Sequence, residues 1–185
     1  MRVIAGSAGG IQLEVPKAGV RPTMDRVKAA IFSSLGDEII GARVLDLFAG
    51  TGSLGIEALS RGAASALFVE ESAPAVAAIE RNLARTKFEG RVRKQDVFAF
   101  LRAAQIAEPF RVIFADPPYD KTKAGEQFTQ LLLGSAELVR MLDPLGTFVL
   151  EKRPEEKMPP APLWKISRDR RYVATEVLFL QPAES

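Results

Sequence analysis

The chain has 185 residues, 47% of them hydrophobic, with 25 basic and 23 acidic side chains. That is long enough to bury one sizeable core and too apolar for wholesale disorder. There is no cysteine and no histidine, which excludes disulfides, thiolate and imidazole metal sites and histidine-based triads.

The net charge of +2 is unevenly spread. Met1–Leu35, Arg81–Arg102 and Lys152–Arg171 carry +3, +5 and +4, whereas Gly36–Glu80 carries −5. Three basic segments around an acidic one suggest a surface facing a polyanion, against the alternative of ordinary solvated charge. The opening MRVIAGSAGGIQLEVP lacks a secretory pattern, and every apolar run is soon broken by charge or turn residues. A cytoplasmic protein with no membrane segment is expected.

In chain order, Arg2–Ala5 and Ile11–Val15 read as two strands joined by the glycine-rich Gly6–Gly10. A helix over Asp25–Leu35 follows, with Val27, Ile31 and Leu35 at helical spacing. From Gly41 strands and helices alternate: strand Val44–Phe48, helix Ser53–Arg61, strand Ala66–Glu70, helix Pro74–Lys87, strand Arg91–Lys94, helix Val97–Ala104, strand Arg111–Ala115, helix Lys123–Leu142, strand Gly146–Glu151. Lys165–Arg170 and Thr175–Leu180 read as a terminal antiparallel pair. Such alternation predicts an α/β fold, a doubly wound parallel sheet with ligands at the carboxyl ends of its strands. No repeat or second domain is visible, so residues 1–185 read as one domain: a hairpin-and-helix appendage (1–35) and a Rossmann-like core (41–182).

Two motifs carry chemistry. In Asp46-Leu47-Phe48-Ala49-Gly50-Thr51-Gly52-Ser53-Leu54-Gly55 a strand runs into a glycine turn that opens a helix. Glycines let the backbone approach a ligand, and the helix start offers N–H donors. Gly50, Gly52 and Gly55 fit the dinucleotide pattern, with Glu70 where a ribose-binding acid belongs. That pattern alone does not separate NAD from S-adenosylmethionine. Asp46 favours the second, because an acid at the turn would repel a pyrophosphate and suit a cationic methionine group. Asp96 and the Val97 N–H could hold the adenine, although Asp96 is equally a helix cap.

The second motif is Asp116-Pro117-Pro118-Tyr119, directly after a strand. The prolines fix the backbone and remove two donors, leaving carbonyls to face the site. An exocyclic base amine has two N–H donors, and the Asp116 carboxylate and Pro117 carbonyl can accept one each. That arrangement aims the nitrogen lone pair at a sulfonium methyl and stabilises the positive charge developing on nitrogen. Tyr119 would stack on the extruded base. The bland reading of the motif is a rigid turn.

The whole chain resembles the RsmD-type family of 16S ribosomal RNA guanine-N2 methyltransferases, among the class I Rossmann-like methyltransferases. The resemblance rests on Arg2-Val3-Ile4-Ala5-Gly6, Arg21-Pro22-Thr23-Met24-Asp25-Arg26-Val27, the run from Asp46 to Gly62, Phe68-Val69-Glu70 and DPPY. It implies a seven-stranded, mostly parallel sheet with an antiparallel last strand, S-adenosylmethionine as cofactor and S-adenosylhomocysteine as product. Implied site residues are Asp46, Phe48, Ala49, Gly50, Thr51, Gly52, Glu70, Asp96 and Val97 for the cofactor, and Asp116–Tyr119 for catalysis. Arg21, Thr23 and Arg26 are implied on the RNA side. The expected partner is 16S rRNA within a small ribosomal subunit particle, met by a monomer. The family often carries Tyr-Gly-Asp-Thr where Tyr172-Val173-Ala174-Thr175 stands here, and Ala29 replaces a common glutamate. Rival readings are an amino methyltransferase for DNA adenine or protein glutamine, and an NAD-dependent oxidoreductase. A DNA enzyme would want a separate target-recognition segment, for which 185 residues leave little room. The oxidoreductase reading lacks histidine and an obvious Tyr-x-x-x-Lys.

Overall fold

The computed structural model describes residues 1–16, 25–105, 107–118 and 124–183; Arg21, Thr23 and Tyr119 lie outside them. The first helix, α1 (Asp25–Leu35), turns through a 3-10 segment, Gly36–Ile39, into the alternating part of the chain. There follow β1 (Arg43–Leu47), α2 (Ser53–Ser60), β2 (Ser65–Glu70), α3 (Ala73–Thr86), β3 (Arg91–Lys94), α4 (Val97–Ala103) and β4 (Phe110–Ala115). Then come α5 (Ala124–Leu133), α6 (Ala136–Met141), β5 (Leu142–Lys152), β6 (Trp164–Arg171) and β7 (Glu176–Pro182). The sheet order is β3-β2-β1-β4-β5-β7-β6; β7 runs antiparallel to both neighbours and the other pairings are parallel.

Period-two alternation divides the core between the two faces of the sheet. Val44, Phe68, Val112, Phe114, Val149, Val177 and Phe179 pack against α1, α2 and α3, where Ile31, Phe32, Ile56 and Ile79 meet them. Leu45, Leu47, Val69, Ile113, Phe148 and Leu150 pack on the other face against Phe100, Leu101, Leu132, Leu138 and Met141. Among the described residues no helix is long and apolar enough to cross a membrane.

Three expectations need correction. The helix foreseen over Lys123–Leu142 is two helices, because Ser135 stops the first and caps the second by accepting the Leu138 N–H at 3.1 Å. The strand expected to begin at Gly146 begins at Leu142, with a register shift against β4 between Phe110 and Val112. Nor is the amino-terminal hairpin a regular pair of strands. It has one bridge, Arg2 to Gln12, and the N–H groups of Ile4 and Ala5 are given instead to the Glu57 carboxylate of α2, at 2.7 and 3.0 Å.

Glu57 is therefore the anchor of the appendage. Its carboxylate, fully buried, also meets Lys28 of α1 at 3.4 Å and Arg61 at 2.8 Å. The Lys28 ammonium, equally buried, donates to the Arg2 carbonyl at 2.6 Å and to Ser53 Oγ at 3.1 Å. Burial pulls the Lys28 pKa below its ordinary value, opposed by the attraction of Glu57. Gly6 lies so close to α2 that a Cβ there would sit 1.8 Å from the Ser60 carbonyl oxygen. Removing one partner of a buried pair strands the other charge, which costs about 3–5 kcal/mol. Glu57→Ala should accordingly lower the urea-unfolding free energy by about that amount. A loss within the range of an ordinary surface substitution would show that the appendage is held by packing alone.

Candidate active site

The site lies where the direction of winding changes. β1 stands between β2 and β4, with Leu47 opposite both Val69 and Ala115, the place where open α/β sheets hold ligands. Beyond Leu47, Phe48 takes the left-handed conformation at φ 55°, which costs a non-glycine residue on the order of 1–3 kcal/mol. The Ala49 N–H donates to the Val69 carbonyl at 3.1 Å, and Gly50 N–H to Glu70 Oε2 at 2.9 Å. Gly52, at φ 75°, closes the turn by donating to the Ala49 carbonyl at 2.7 Å and opens α2. Gly55 serves packing: a Cβ there would stand 2.3 Å from the Phe68 ring.

The turn is held from behind by two buried side chains. Asp46, 2% exposed, accepts the Gly55 N–H at 2.9 Å. Its burial pushes the carboxyl pKa up to about 8, against the lowering effect of that hydrogen bond and helped by the charge of Glu70. Asn82 of α3, fully buried, donates to the Thr51 carbonyl at 3.1 Å and clamps both backbone groups of Glu14, at 2.7 and 3.0 Å. The glycine turn and the amino-terminal segment thus share one amide.

Glu70 is half-buried and also accepts the Ser72 N–H at 2.8 Å. A carboxylate has about four acceptor positions, so roughly two remain beyond these two bonds. Asp96 Oδ1 caps α4 through the Ala99 N–H at 2.7 Å, so the capping role is the one seen. Val97 is buried at the start of α4. An aromatic wall of Phe48, Phe98 and Phe128, with ring centroids 5.6 to 6.0 Å apart, stands beside it. On the other side of β1, Asp116 and Pro117 continue β4, half-buried and buried respectively, and Pro118 is exposed. Arg26 is exposed in the first turn of α1.

The sequence reading brought together the glycine turn, Glu70, Asp96 and Asp116. It missed Asn82, the Phe98–Phe128 wall and the Lys28–Glu57 pair. Lys28 left a signal, since it falls on the Val27–Ile31–Leu35 side of an otherwise apolar helix face. Asn82 left none, because a polar residue beside Glu80, Arg81 and Arg85 looks like part of a solvated face.

A family model described as "Conserved hypothetical protein 95" matches residues 1–181. "Putative rRNA methyltransferase YlbH" of Bacillus subtilis is 40% identical over 163 residues, covering 86% of each chain. "Ribosomal RNA small subunit methyltransferase D" of Escherichia coli is 35% identical over 182 residues, covering 97% of this chain and 87% of the relative. Among solved structures, "Putative methyltransferase yhhF from Escherichia coli" superposes with a TM-score of 0.81 at 33% identity, covering 98% of this chain and 97% of that one.

The buried Asp46 makes a pH prediction. An unfolded aspartate loses its proton near pH 3.9, whereas the folded carboxyl keeps it up to about pH 8. The folded state therefore binds more protons in that window, and the contribution of Asp46 to stability falls as pH rises from about 4 to about 8. Asp46→Asn keeps an oxygen for Gly55 and removes the titration. Urea midpoints at pH 5 and pH 8 should differ less in the variant than in the wild type; equal differences would mean that Asp46 ionises normally.

Proposed function

The chain belongs to the conserved hypothetical protein 95 family, that of the RsmD-type ribosomal RNA methyltransferases, and from that membership we propose its reaction. It transfers a methyl group from S-adenosylmethionine to the exocyclic N2 of a guanine in 16S ribosomal RNA, releasing S-adenosylhomocysteine. One observation carries the reading: the parallel register sets Asp116 and Pro117, after β4, beside the glycine turn after β1 and Glu70 at the end of β2. Acceptor chemistry and a nucleoside cradle thus meet on adjacent strands, about 4.8 Å apart.

S-adenosylmethionine supplies an electrophilic methyl on a good leaving group. Glu70 holds the ribose, with its orientation fixed by the Gly50 and Ser72 N–H groups. Phe48, Ala49, Gly50, Thr51 and Gly52 form the narrow turn along which the amino-acid end lies. A cation there would favour the ionised form of Asp46 behind the turn. Asp96 and the Val97 N–H take the adenine. Asp116 and the Pro117 carbonyl accept the two amine protons, Pro118 stiffens the loop, and Tyr119 stacks on the base. On methylation of the amine, Asp116 would stabilise the positive charge that grows on nitrogen and would take the proton that nitrogen sheds. Positioning and electrostatic stabilisation suffice for this step without histidine. Arg21, Thr23 and Arg26 contact the RNA, and the enzyme acts as a cytoplasmic monomer on a small-subunit particle.

Two measurements test the assignment of roles. Glu70→Ala should weaken S-adenosylmethionine binding by about 1–3 kcal/mol in calorimetry, the loss of a charged hydrogen-bond partner; an unchanged dissociation constant removes it from the ribose. In single-turnover transfer of labelled methyl to small-subunit particles, Asp116→Ala should be slower by about 10²–10³-fold with cofactor affinity intact. Asp116→Asn should lose less, and Tyr119→Ala should mainly weaken substrate capture, by about 1–3 kcal/mol. Wild-type rates in Asp116→Ala would reduce the motif to a rigid turn.

A further inference from the structure

The residues assigned to the cofactor follow β1, β2 and β3, on one half of the sheet's carboxyl edge. An RNA strand reaching Asp116 must then enter over the other half, β4-β5-β7-β6. On that half β6 is unusual, for after the buried Trp164 all seven of its residues are exposed.

Its charges are sorted by a bulge. Between Ile166 and Arg168 the pairing with β7 slips by one residue. A slip of that kind moves the following side chains to the opposite faces. As a result Lys165, Arg168 and Arg170 stand opposite Gln181, Phe179 and Val177, and Phe179 and Val177 belong to the face that packs on α1. Asp169, the acid of the strand, falls opposite Leu178 on the other face. Arg168 lies over the Phe179 ring, 5.8 Å from its centroid, and donates to the Ser34 carbonyl of α1 at 2.6 Å, joining the stripe to that helix. Lys165 and Arg170 enter no ion pair among the described residues. The first turn of α1, with exposed Arg26, lies at the carboxyl edge, because Lys28 reaches Ser53 at the start of α2. At the same edge the β6–β7 turn, closed by Tyr172 N–H on the Thr175 carbonyl at 2.7 Å, holds Val173 wholly exposed.

We propose that this stripe, Lys165, Arg168 and Arg170 with Arg26 and the tip at Val173, is the track on which the phosphate backbone of the RNA substrate docks. The inference rests on the function proposed above and deepens it. β6 is three strands from β4, about 14 Å, which places the Arg170 end of the stripe within a few nucleotides of a base extruded to Asp116, with Lys165 about 17 Å further along the strand. The opposite edge offers a matched contrast. Arg91 and Arg93 of β3 face α4 and line a groove of about 810 Å³, but they sit on the cofactor half.

Filter binding of a small-subunit rRNA fragment across a salt series tests the assignment, alongside calorimetry with S-adenosylmethionine. Lys165→Glu/Arg170→Glu should weaken RNA binding on the order of tenfold or more and flatten the dependence of log affinity on log salt by about 1–2, as two phosphate contacts are lost. Cofactor affinity should not move. Val173→Asp should weaken RNA binding several-fold, and Arg91→Glu/Arg93→Glu should match the wild type. The track is overturned if the β6 pair binds RNA like the wild type, or if the β3 pair loses as much. A wild-type chain with no salt-dependent RNA affinity would overturn the proposed function together with it.

Discussion

The buried contact of Lys28 with Glu57 decides how this molecule is put together. A single carboxylate on α2 takes two backbone N–H groups of the amino-terminal segment, an ammonium from α1 and a guanidinium from its own helix. Helix α2 is the one that opens at the glycine turn, so the element that begins at that turn also anchors the amino-terminal segment and α1. Asn82 repeats the arrangement from α3, holding Thr51 of the turn and Glu14 of the segment with one amide. Neither group is exchangeable for a water-facing one. Each is enclosed, and leaving a buried partner unpaired costs far more than a surface contact returns.

The alternating part of the fold was legible in the sequence because buried parallel strands and amphipathic helices write different periods. Helix α1 and strand β3 fall on their expected bounds, and the antiparallel β6–β7 pair was visible in its two apolar-polar runs. Illegible were features decided by competition. The amino-terminal strands looked like a hairpin, but Glu57 outbids a strand partner for the Ile4 and Ala5 donors. The long fifth helix looked continuous until Ser135 capped a second one. In the candidate site, the glycine turn and DPPY are legible because glycines and prolines at fixed spacing mark them locally. Asn82 and the Phe98–Phe128 pair act through contacts made by distant chain segments, which no local spacing reveals.

A chain without histidine narrows the chemistry available to it, and the geometry is consistent with that narrowing. The glycine turn and the Asp116 loop leave adjacent strands at the switch point, so reactants can be held in line by the backbone itself. Asp46 carries a pKa raised to about 8 and sits behind the turn, whereas Asp116 is half-buried on the acceptor side. Two carboxylates at the ends of neighbouring strands thus occupy different environments, one shaping the cradle and the other proposed to meet the amine. The distribution of charge follows the same division, with Lys165, Arg168 and Arg170 of β6 on the half of the edge where the acceptor is proposed to enter.

Nucleoside mapping of ribosomal RNA reads the identity of the modified atom directly. In 16S rRNA from cells lacking the gene, one guanine should lose its N2-methyl group, and supplying this chain should restore it. Unchanged 16S rRNA, with the missing methyl group found on DNA adenine or on a protein glutamine instead, would contradict the account.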